Sequence, residues 1–127
     1  MKTKFVVVAL LILLAAILAG CNGMWGYKPF EDRSFHVSPQ STSTLIVHAE
    51  VGDEIQGYFT IRGGENEIKF WVEDPNGADI YNAGMVYDRH DFRVSCAEEG
   101  NYTLYFDNSF SQTAGKDVYI HYRVRHI

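Results

Sequence analysis

Apolar and polar residues alternate with a period of two along most of this chain, in short segments divided by turn signals. Leu45, Val47, Ala49 and Val51 alternate with Thr44, Ile46, His48 and Glu50, and Gly52-Asp53 ends the segment. Ile55, Gly57, Phe59 and Ile61 then alternate with Glu54, Gln56, Tyr58, Thr60 and Arg62 as far as Gly63-Gly64-Glu65-Asn66. Ile68, Phe70 and Val72 oppose Glu67, Lys69, Trp71 and Glu73, and Asp74-Pro75-Asn76-Gly77 turns the chain again. Phe92, Val94 and Cys96, then Tyr102, Leu104 and Phe106, then Val118, Ile120, Tyr122 and Val124 complete the series. Successive side chains of a strand point to opposite faces, so each segment reads as a strand burying one face. With a weaker strand at Phe35 to Val37 and a short one near Asp79 to Asn82, about eight strands are expected. Their close spacing is the signature of a sandwich or small barrel, and the clean alternation, with no helical period after Ser34 to supply parallel crossovers, favours an all-β, antiparallel two-sheet sandwich.

The first residues break the alternation. Lys2 and Lys4 precede an unbroken apolar run from Phe5 to Ala19. The run is shorter than the roughly 20 apolar residues of a membrane span and reads as a signal helix. Leu18-Ala19-Gly20-Cys21 resembles the lipobox of bacterial and some archaeal lipoproteins, in which the cysteine receives a diacylglyceryl group and becomes the mature N-terminus. The expected organisation is a lipoprotein signal peptide over 1–20, a tether over 21–33 and one domain over 34–127. Ordinary cleavage near Gly20 and an uncleaved anchor helix are the competing readings. Each buried CH₂ contributes about 0.8 kcal/mol, so a lipid of two or three chains on Cys21 gives stable attachment. The domain is therefore expected outside the cytoplasm, held to a membrane. Gly23, Gly26 and Pro29 keep the tether irregular, and its Trp25, Tyr27 and Phe30 either rest at headgroup level or tuck against the domain.

Removing residues 1–20 of the 127 leaves a length suited to one domain with a core. It also removes Lys2 and Lys4, so nine basic residues face sixteen acidic ones and the net charge moves from -5 to -7. Nucleic acid, which demands a basic face, is excluded as a partner. With Cys21 committed to lipid, Cys96 has no intramolecular partner, and stability rests on packing.

The order and spacing of several short motifs resemble a GOLD (Golgi dynamics) domain. They are Gly57-Tyr58-Phe59, Ile68-x-Phe70-x-Val72-x-Asp74-Pro75-x-Gly77, Phe92, Gly100-Asn101-Tyr102-x-Leu104-x-Phe106-x-Asn108-Ser109-Phe110-Ser111, and Lys116-x-Val118-x-x-x-Tyr122-x-Val124. The resemblance covers Phe35 to Val124 and implies a jelly-roll-related β-sandwich associated with protein and lipid binding, known from the luminal parts of early-secretory cargo receptors. Small sandwiches that follow secreted peptidases share the Asp-Pro-x-Gly turn and the Gly-x-Tyr entry; the Asn108-Ser109-Phe110-Ser111 segment favours GOLD. Tyr105 stands where the cargo receptors commonly carry a cysteine, and their coiled coil, C-terminal membrane helix and sorting tail have no counterpart, so coat recruitment is not implied.

Little in the sequence points to chemistry. Asp74, Asn76 and Asp79 resemble a calcium loop only loosely, and a turn with Pro75 at its second position explains them. His36, His48, His90, His121 and His126 show no zinc-site spacing, so no metal and no cofactor are expected. Asp88, His90 and Asp91 read as a solvated loop, Asn101-Tyr102-Thr103 as a turn entering a strand, and Asn108-Ser109 as side chains closing a turn onto local backbone. Cys96 falls on the apolar parity, which predicts an inert buried thiol. The most suggestive residues are aromatics on the polar parity: Tyr58, Trp71, Tyr105 and Tyr119. On one sheet they would form a stacking platform, with Arg123 and Arg125 beside Tyr119 for an acidic group; otherwise they are scattered surface aromatics in cross-strand packing.

The sequence thus predicts a non-catalytic, membrane-anchored envelope module that binds a protein, peptide or lipid. The alternative is a carbohydrate-binding sandwich that stacks sugar rings on the same aromatics. An envelope hydrolase built on Asp88, His90 and Glu98 is the remaining enzymatic reading.

Overall fold

The computed structural model describes residues 28–126; the signal segment, Cys21, Trp25 and Tyr27 lie outside the described residues. Eight strands follow in order: β1 (Glu31–Val37), β2 (Thr42–Ala49), β3 (Glu54–Arg62), β4 (Glu67–Glu73), β5 (Asp79–Tyr87), β6 (Arg89–Ser95), β7 (Gly100–Asp107) and β8 (Lys116–Arg125). They form two four-stranded sheets, β1-β8-β3-β6 and β2-β7-β4-β5, and every pairing is antiparallel. Only β4 and β5 are consecutive neighbours in one sheet. Every other connection crosses between sheets, which gives the jelly-roll topology.

The predicted inward parity packs between the sheets. Phe59 and Phe92 of the first sheet meet Phe70 and Phe106 of the second, with centroids 4.7 to 5.4 Å apart across the sheets. Ile55, Ile61, Ile68, Val72, Val94, Leu104, Val118, Ile120, Tyr122 and Val124 complete the layer, all buried. Gly57 lies on this parity because β3 and β8 approach too closely for a side chain. A Cβ there would sit 2.2 Å from the His121 carbonyl oxygen.

Edges and corners depart from the pattern. β2 stops at Ala49, and Val51 is exposed rather than inward, because Asp53 closes a turn by accepting from the Glu50 N–H while Asp53 N–H donates to the Glu50 carbonyl. β1 takes in Glu31 to Arg33, ahead of the Phe35 to Val37 signal. β5 runs on to Tyr87, well past Asn82; bulges beside Trp71 and Glu73 and its place at a sheet edge blur its alternation.

Asp88, at φ 62°, makes the corner into β6, so the expected solvated loop is wrong for His90 and Asp91, which are strand residues. His90 points inward and meets the Tyr81 hydroxyl at 2.8 Å across the gap between sheet edges. Asp74 does form a turn, accepting from the Asn76 and Ala78 N–H groups at 2.9 Å. Asn108 reaches further than its own turn: its buried amide donates to Ala114 and also to Val37 and Ser38 at the end of β1.

Candidate functional site

The outer face of the β1-β8-β3-β6 sheet gathers most of the side chains suited to recognition. Antiparallel register aligns them in rows: Tyr58 between His121 and Asp91, Gln56 between Arg123 and Arg93, and Thr60 between Tyr119 and Arg89. A groove of about 670 Å³ runs over this face, lined by Phe30, Gln56, Tyr58, Asp91, Arg93, His121 and Arg123. The Arg89 guanidinium lies 3.9 Å from the Tyr58 ring centroid and pairs with Asp91 at 3.1 Å. Arg123 sits over the Phe30 ring at 4.4 Å. With the Gln56 amide oxygen turned towards it, the same guanidinium donates to Gln56 at 2.6 and 2.8 Å.

Charge is distributed unevenly about this face. Arg62, Arg89, Arg93, Arg123 and Arg125 project from it with Asp32, Glu54, Asp91 and Asp117. That is five of the nine basic residues after Lys4 and only four of the sixteen acids, a net +1 on this face against -8, four basic and twelve acidic residues, on the rest of the chain after Lys4. Asp32 is held below the usual carboxylate range by hydrogen bonds from His121 Nδ1–H and the Tyr119 hydroxyl, and the same bond to Asp32 raises Tyr119.

The four aromatics do not share one platform. Tyr58 and Tyr119 lie on this face with centroids 6.4 Å apart, whereas Trp71 and Tyr105 stand on the outer face of the opposite sheet. Trp71 and Tyr105 stack on each other at 4.9 Å and 6°, so each covers one face of its partner. Arg123 and Arg125 do share the face of Tyr119. Phe30, Gln56, Arg93 and His121 complete the groove and were not singled out as binding residues. Phe30 precedes the first strand, and the other three join the site only through strand order, which the alternation of a single strand does not encode.

Other polar clusters are structural. Asp88 binds Asn66 and Glu98 binds Asn76 at opposite ends of β6, so the hydrolase set of Asp88, His90 and Glu98 does not gather. Glu50, Asp53 and His126 bring potential metal ligands within 4.8 Å of one another, a grouping that histidine spacing does not reveal. Both Asp53 carboxylate oxygens already accept, from His126 and from the Glu50 N–H, which accounts for the cluster as a corner clasp. Cys96 is buried and burial pushes its thiol up, as suits an inert core residue.

His90 supplies a pH signature. Burial lowers it from 6.5, so below that pH the unfolded chain takes up the proton first and the folded state loses stability. The thermal midpoint is expected to fall from about pH 6.5 downward until the folded-state pKa is passed, and His90→Gln is expected to flatten that part of the profile.

The emp24/gp25L/p24 family/GOLD model matches residues 32–127. No curated protein matches the chain. Among solved structures it is similar to PliG, a periplasmic inhibitor of g-type lysozyme, from Aeromonas hydrophila: 12% identity, 74% of this chain, 86% of that one, TM-score 0.46. It is also similar to Salmonella Typhimurium PliG, with 14% identity, 75% and 88% coverage and a TM-score of 0.47. A xylan-binding domain from Paenibacillus barcinonensis gives 19% identity, 81% and 86% coverage and a TM-score of 0.41. The matched segment takes in β2 to β8 and nearly all of β1, and the chain belongs to the emp24/gp25L/p24 family of GOLD domains.

Proposed function

We propose that this protein is a lipid-anchored, extracytoplasmic binding module that holds a protein or peptide partner against the outer face of the β1-β8-β3-β6 sheet, without chemistry of its own. The observation that carries the reading is the groove: aromatic rings and guanidinium groups converge there on a domain that is otherwise acidic. Aromatic and arginine side chains dominate the energetics of protein interfaces, and opposite charge steers the encounter. Family membership supports it, since the GOLD module is associated with protein and lipid binding.

Pull-down from a cross-linked envelope fraction tests the face. Tyr58→Ala with Arg123→Ala is expected to lower recovery of the partner about tenfold or more, the loss of one or two hot-spot side chains. Trp71→Ala, on the opposite face, is expected to leave it unchanged. Equal recovery from all variants would remove the groove from the account. Anchoring is tested separately: Cys21→Ser is expected to abolish fatty-acid labelling and release the protein from membranes. The carbohydrate reading draws on the half-buried Trp71–Tyr105 stack. Glycan-array binding lost on Trp71→Ala would favour it over the groove.

A further inference from the structure

The groove is already in contact with part of its own chain. Phe30, just ahead of β1, stacks on the His121 ring at 4.3 Å and 10°, under the Arg123 guanidinium. Two residues on, the Asp32 carboxylate accepts from the Tyr119 hydroxyl at 2.8 Å and from His121 Nδ1–H. Glu31, between them, turns to the other side and accepts from the Tyr122 hydroxyl. An extended segment thus offers one aromatic ring and one carboxylate to the same side of β8, as residues two apart in a strand do.

Besides these contacts the segment is held by its main-chain pairing with β8, from Glu31 opposite Tyr122 to Ser34 opposite Tyr119, with little side-chain burial. Glu31, Asp32, Arg33 and Ser34 are all exposed, Phe30 is 41% exposed, and burial in β1 begins only at Phe35 and Val37. Among the described residues β1 is also an edge strand, joined to the sheet through β8 alone.

We propose that the outer side of β8 is a recognition site for an extended peptide bearing an aromatic residue and, two positions later, a carboxylate, and that Phe30 and Asp32 fill this site until such a segment displaces them. The inference rests on the groove as the partner-binding face and names the partner's chemistry. The incoming strand pairs with the β8 edge that the front of β1 vacates. Its ring takes the place between His121 and Arg123, and its carboxylate takes the Tyr119 and His121 donors. Main-chain pairing supplies affinity and the two side chains supply selection. Because the chain's own segment competes, apparent affinity is reduced by the fraction of molecules in which the site is filled.

The test titrates a labelled peptide, Lys-Pro-Phe-Glu-Asp-Arg-Ser, the sequence of residues 28–34, into the full-length protein and into its Phe30→Ala, Asp32→Asn variant. The variant is expected to bind at least about tenfold more tightly than wild type, as a monomer, and to lose that gain when His121→Ala is added. Peptides with the aromatic replaced by alanine, or the aspartate by asparagine, are expected to bind about tenfold more weakly. If the variant does not fold, hydrogen exchange on wild type replaces it, and excess peptide is expected to speed exchange at Asp32 to Ser34. Equal affinity for both proteins, indifference to the peptide changes, dimerisation of the variant in place of peptide binding, or unaltered exchange would overturn the inference. Partner recovery that still depends on Tyr58 and Arg123 alongside any of those results would leave the groove standing and sink only the displacement model.

Discussion

Replacing Phe70 by alanine is expected to destabilise the protein by about 3 to 5 kcal/mol, a large share of the roughly 5 to 15 kcal/mol that holds a domain folded. Phe70 is fully buried on β4, and its ring meets Phe59 and Phe92 of the facing sheet as well as Phe106 of its own. A cavity there removes contacts between the two layers, and rings on both sides have to move to refill it. Urea denaturation measures the loss. A cost under about 1 kcal/mol would mean that the aromatic cluster does not join the sheets as described.

Lys116→Ala is expected to cost a comparable amount for an electrostatic reason. The Lys116 ammonium has no exposure, although it begins a strand; it pairs with the Glu67 carboxylate, donates to the Glu67 carbonyl at 3.0 Å and lies 4.8 Å from the Phe110 ring. Removing one member of a buried pair leaves the other charge without compensation, at a cost of about 3 to 5 kcal/mol. Lys116→Met with Glu67→Gln removes both charges and keeps most of the volume, so the double variant is expected to be more stable than either single one. A double-mutant cycle measures this, and simple additivity would contradict the pairing.

How much of this was legible in the sequence follows from what sets each feature. The core parity of β3, β4, β7 and β8 was readable because each strand buries one face and leaves the other wet, so Ile68, Phe70 and Val72 declare themselves locally. β5 carries little such signal, because an edge strand with bulges owes less of its pairing to burial. Lys116 sits on the apolar parity, yet nothing local shows that Glu67, far away in sequence, neutralises it. His90 was misread for a similar reason: its hydroxyl partner Tyr81 lies on the other sheet.

The binding face shows the same division. Parity alone put Tyr58, Trp71, Tyr105 and Tyr119 outside, and they are the less buried residues of their strands. Which of them meet depends on strand order, and the jelly-roll crossing places them two to a sheet. Turn signals such as Gly52-Asp53 mark where the chain bends and carry no information about whether it returns to its own sheet or crosses to the other. Arg123 shares a face with Tyr58 because β8 and β3 are neighbours, and that pairing spans more than half of the domain.

Site-specific photo-cross-linking in living cells tests the central claim most directly, with the reactive side chain placed at Tyr58 in the groove or at Trp71 on the opposite face. The account predicts a discrete adduct from position 58 that disappears when Arg123→Ala is added, and none from position 71. An adduct from position 71 with none from position 58 would contradict it.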